Sequence, residues 1–63
     1  MIARTDVRTV QTFLDRPRGK RVPTPDVAYA AGRRILAGLG IEPPTNLTAA
    51  WLGQTLRERR IIQ

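Results

Sequence analysis

Five prolines, at positions 17, 23, 25, 43 and 44, decide how much regular structure this chain can hold. A proline lacks the amide that a helix interior must donate, and it biases the preceding residue away from helical backbone angles. Between the prolines lie three stretches, each with room for one short helix, and glycines at 19, 38 and 40 fall beside the breaks. The chain has 63 residues, so one small domain with a simple core, residues 1–63, is all the length allows.

The first helix is expected from about Thr5 to Asp15, capped by Thr5 or Asp6. Its apolar stripe is Val7, Val10, Phe13 and Leu14. The second is expected over Pro25–Leu39: Thr24 caps it, Pro25 takes the first position and Asp26 complements the positive end of the helix dipole. Val27, Ala31, Ile35 and Leu39, flanked by Ala28 and Leu36, are its expected core side. Tyr29 covers an edge of that core, Arg33 and Arg34 face outward, and Gly38 or Gly40 supplies the stop. The third helix starts near Asn46 or Thr48, with Leu47, Trp51 or Leu52, and Leu56 inward and Trp51 as the large anchor of the core. Gly53 within it costs about 1 kcal/mol relative to alanine and marks a close helix approach or a weak point. The last residues, Arg59 to Gln63, suit a short strand pairing near Val22. The expected fold is therefore mostly α: a three-helix helix-turn-helix or truncated winged helix with at most two short strands.

Several functions are excluded by what the chain lacks. Without cysteine or histidine there is no thiolate metal site, no thiol nucleophile and no imidazole base. The acids Asp6, Asp15, Asp26, Glu42 and Glu58 are scattered, with no pair at the spacing of a carboxylate dyad or a hard-metal cage. The reading is a protein that is not an enzyme and needs no metal or cofactor. No apolar run approaches the roughly 20 residues a bilayer requires, and the N-terminus lacks a signal-peptide core, so the expected compartment is the cytoplasm, with no membrane partner.

What the chain does have is positive charge, a formal net +6, with ten arginines and one lysine against the five acids. Small basic domains meet nucleic acid most often, and arginine favours two-pronged contacts to phosphate or guanine. The segment Arg16-Pro17-Arg18-Gly19-Lys20-Arg21 reads as a basic loop, and Arg16, Arg18, Lys20 and Arg21 are candidate phosphate contacts. On the third helix the outward positions are Asn46, Ala50, Gln54 and Arg57. Asn46, Gln54 and Arg57 are the candidate base readers, Gln54 of a type that pairs with adenine and Arg57 with guanine. Thr45 and Thr48 at the mouth of the helix, and Arg59 and Arg60 at its end, are further candidates for phosphate.

Taken together, Phe13-Leu14, Arg21-Val22-Pro23, Asp26-Val27, Ala30, Gly40-Ile41, Pro43 and the run Trp51-Leu52-Gly53-Gln54-Thr55-Leu56-Arg57-Glu58-Arg59 resemble a known pattern. It is similar to the C-terminal winged-helix module of phage- and plasmid-type primase–helicase proteins, over about fifty residues. The resemblance implies a strand at the Arg-Val-Pro step and duplex-DNA binding, in a phage or mobile-element regulator of transcription or an accessory to DNA replication. That module usually follows a large ATPase domain and continues into a wing. The expected partners are double-stranded DNA and a second copy of the chain, paired through helix 1 and Ile61-Ile62. The alternative is a small accessory protein that binds and modulates a larger bacterial or phage enzyme. RNA is a third class, with only Phe13, Tyr29 and Trp51 to stack on bases.

Overall fold

The computed structural model describes residues 2–62, in which three helices form: α1 (Arg4–Asp15), α2 (Pro25–Leu39) and α3 (Ala49–Glu58). The Cα radius of gyration is 10.8 Å, against about 10.6 Å for a folded chain of this length. The fold is all-α. The connection between α2 and α3 covers residues 40–48, well beyond the turn of about 3–4 residues that joins a helix-turn-helix pair.

Each helix end has a local cause. α1 begins at Arg4, one residue before the expected start, and Ala3 at its N-cap offers no side-chain cap. Neither Thr5 nor Asp6 acts as the cap. Asp6 instead spans to α2, where Arg34 Nε and Nη2 donate to its two carboxylate oxygens at 3.1 and 2.8 Å. This fork holds two helices together, whereas a cap would serve one. Arg16 ends α1 in the left-handed conformation (φ 47°), its N–H donating to the Thr12 carbonyl at 2.9 Å, and Pro17 blocks continuation. Thr24 and Pro25 start α2 as expected, and Gly40 (φ 75°) closes it while the Ile41 amide reaches back to the Leu36 carbonyl at 2.9 Å. Thr48 caps α3, its hydroxyl oxygen accepting from the Trp51 amide at 3.1 Å. The same closure as on α2 ends α3, with Arg60 in the glycine-like position (φ 57°) and the Ile61 amide bonded to Leu56.

Those ends place the core. Val10 and Phe13 of α1, Ala28, Ala31, Ile35 and Leu36 of α2, and Leu52 and Leu56 of α3 are buried. Val27 is not among them; it is 53 % exposed. A spacing of four residues drifts by about 40° per step on an α-helix, so Val27 falls off the face that Ala28, Ala31, Gly32, Ile35 and Leu36 share, while Leu39 stays on it, half-buried against the core. Trp51 is half-buried against the rim of the core, and the fully buried large side chains include Ile35, Leu36, Leu52 and Leu56 instead. The buried ring is Phe13, whose edge meets Tyr29 at a centroid distance of 5.6 Å.

No strand forms among the described residues. After Arg60 the chain turns inward and Ile62 enters the core at 5 % exposure, while Val22 stays at the surface. A lone two-stranded ribbon is marginal in water, and burying an isoleucine outweighs it. Gln63 lies outside the described residues.

Candidate nucleic-acid interface

Two glycines set how α3 meets the other helices, and one of them creates the site. At Gly32 of α2, an added Cβ would stand 2.8 Å from Leu52 Cδ2, so the buried Leu52 fills the place of a side chain there. At Gly53 of α3, an added Cβ would meet Arg57 Nη1 at 2.9 Å and Leu14 Cδ1 at 3.4 Å. Leu14 is the penultimate residue of α1. The Arg57 guanidinium therefore sits beside the end of α1, where the basic loop begins two residues later.

In that loop Arg16, Arg18, Lys20 and Arg21 are exposed, as are Arg59 and Arg60 at the end of α3. None of these six has an acidic partner among the described residues; Asp6 pairs with Arg34. The Arg34 hydrogen bond holds the Asp6 carboxyl below its ordinary range, and the same bond raises the Arg34 guanidinium. Most of the positive charge thus remains available to an external anion.

On α3, Ala50, Gln54 and Arg57 are exposed along one side. Glu58 shares that side and accepts a hydrogen bond from Gln54 Nε2 at 3.3 Å. Asn46 is not on the helix: with Thr45 it lies in a bend ahead of the Thr48 cap, exposed. Its inclusion assumed a start near Asn46; the Thr48 hydroxyl fixes the start two residues later. Because the Thr48 oxygen accepts from the Trp51 amide, its hydroxyl proton is what remains for an anion.

Three residues escaped the sequence reading. Arg4 and Arg8, one turn apart on α1, line a cavity of about 160 Å³ with Thr5. Their four-residue spacing was the available signal. Glu58 was passed over as an isolated acid, although its place four residues after Gln54 puts the two together on any helix. The surfaces expected to pair two copies are largely used within one. Ile62 is buried, and Ile61, Val7 and Leu14 are half-buried on the same core. The exposed large apolar side chains are Val22 and Val27. Among the described residues no group of acidic side chains gathers that could hold a metal ion, and no helix is long and apolar enough to cross a membrane. No protein-family model, curated protein or solved structure matches the chain.

Proposed function

We propose that this chain binds double-stranded DNA. The basic loop from Arg16 to Arg21, with Arg59 and Arg60, holds phosphates, and Gln54 and Arg57 of α3 meet base edges. The observation that carries this reading is the packing at Gly53, where Arg57 of α3 and Leu14, two residues before the loop, both approach the same bare backbone position. Phosphate contacts fix position and base contacts give sequence preference, so one surface carrying both kinds has what recognition requires. Asn46, Thr45 and Thr48, in the bend and at the cap, border the start of the reading helix, where a phosphate is favoured. The resemblance to the winged-helix module of primase–helicase proteins supports the same reading, with α3 as the recognition helix over a longer connection than usual. Such a protein works as a cytoplasmic regulator or replication accessory of a phage or mobile element.

A second reading is favoured by Val22 and Val27, which offer exposed apolar surface to a larger protein partner. Salt separates the two. Duplex binding measured by gel shift should weaken steeply between about 50 and 200 mM salt, because each neutralised phosphate releases counterions. Replacing Arg18 or Lys20 with alanine should weaken every duplex alike and flatten the salt slope by about one unit. Retention of the full slope by both variants would remove the loop from the interface. No duplex binding at the lower salt would turn the function to the protein partner.

A further inference from the structure

The two tight glycines differ in what obstructs them. At Gly32 the obstacle is the branched end of Leu52, wholly buried and held on every side by the core. At Gly53 it is the far end of an arginine, with Leu14 at ordinary contact distance beside it. Side chains on a helix lean back toward its N-terminus, so the side chain of residue 57 comes to rest over residue 53. Only glycine leaves room there for the guanidinium.

We infer that Gly53 is a positioning residue: lacking a side chain, it seats the Arg57 guanidinium over the backbone of α3 beside Leu14 and presents it to duplex DNA in one orientation. The seat follows from the packing at Gly53; its consequence for binding rests on the DNA-binding reading above. An arginine already ordered loses less freedom on meeting its target, and that saving is what glycine supplies. Gly53 thus weakens the helix it lies in and strengthens what the helix does.

The test compares wild type, Gly53→Ala, Arg57→Ala and the double variant by thermal melting, by NMR contacts of the Arg57 side chain, and by affinity for a duplex at low salt. Gly53→Ala should melt at or above the wild-type temperature, since alanine favours the helix and only a flexible side chain must move. Contacts from the Arg57 side chain to the Gly53 α-protons and a Leu14 methyl should be present in wild type, and the Leu14 contact should be lost in Gly53→Ala. Affinity should fall about 3–10-fold in Gly53→Ala, and the double variant should bind no worse than Arg57→Ala. A loss of equal size from Gly53→Ala with or without Arg57 overturns the proposal. So does a Gly53→Ala chain that fails to fold, since the obstacle would then be the core. If no chain binds duplex, the DNA reading fails and the NMR contacts still decide the seat: their absence from wild type refutes it.

Discussion

Gly32 and Arg60 show how single residues control this fold. Gly32 admits Leu52 of α3 into the surface of α2, and a methyl group added there would stand 2.8 Å from a side chain with no room to retreat. Overpacking of that kind costs about 1–3 kcal/mol, partly offset by the roughly 1 kcal/mol that alanine gains over glycine in a helix. Gly32→Ala should therefore destabilise the chain by up to about 2 kcal/mol, read in a denaturant melt. A midpoint raised by the full helix gain of alanine would mean that α3 does not dock at this point. Arg60 poses the opposite case, a side chain held at φ 57° where the end of α2 uses Gly40 at φ 75°. Arg60→Gly should stabilise the fold by about 0.5–1 kcal/mol and weaken duplex binding, because it removes a proposed phosphate contact. Loss of stability would show that the arginine side chain supports the fold in a way its exposure does not suggest.

Between elements, the join most open to test is the fork from Arg34 of α2 to Asp6 of α1. The Asp6 side chain is 14 % exposed and that of Arg34 60 %. Arg34 keeps the Asp6 carboxyl deprotonated below the ordinary carboxylate value in the folded chain, so the unfolded chain takes up that proton first as pH falls. The pair contributes fully above about pH 4, and its contribution is lost as pH falls through the depressed value. Asp6→Asn should melt lower than wild type at neutral pH, and the two curves should converge below about pH 4. Curves that stay parallel down to pH 2 would show that Asp6 contributes no charge to the join. The fork illustrates which parts of the fold the sequence declares. Thr24-Pro25, Gly40 and Thr48 are local signals, readable because cap and helix end depend only on neighbouring residues. Asp6–Arg34 joins residues far apart in the chain, and Ile62 turns inward through a closure set by Arg60, so neither has a local signature. The exposed arginines were visible as composition. The place where Arg57 meets the root of the loop was not, because it depends on how α3 lies against α1.

At the scale of the whole molecule, packing and charge divide the work. A chain of this mass exposes about 10,000 Å² when extended, and the folded one exposes 4739 Å², so little more than half is buried. Small domains of this kind hold a modest margin of stability, and changes of one or two kcal/mol are visible in them. Into that margin the protein places a net charge of +6, which costs self-repulsion until an anion arrives. The central claim is that the loop and α3 act as one surface on DNA. Its most direct test is amide NMR of the labelled chain titrated with a short random duplex at low salt. Shifts should gather on Arg16–Arg21, on Gln54 and Arg57, and on Arg59–Arg60, while Val27 and Glu42 stay still. Shifts confined to the neighbourhood of Val22 and Val27, or none with duplex in excess, would contradict it.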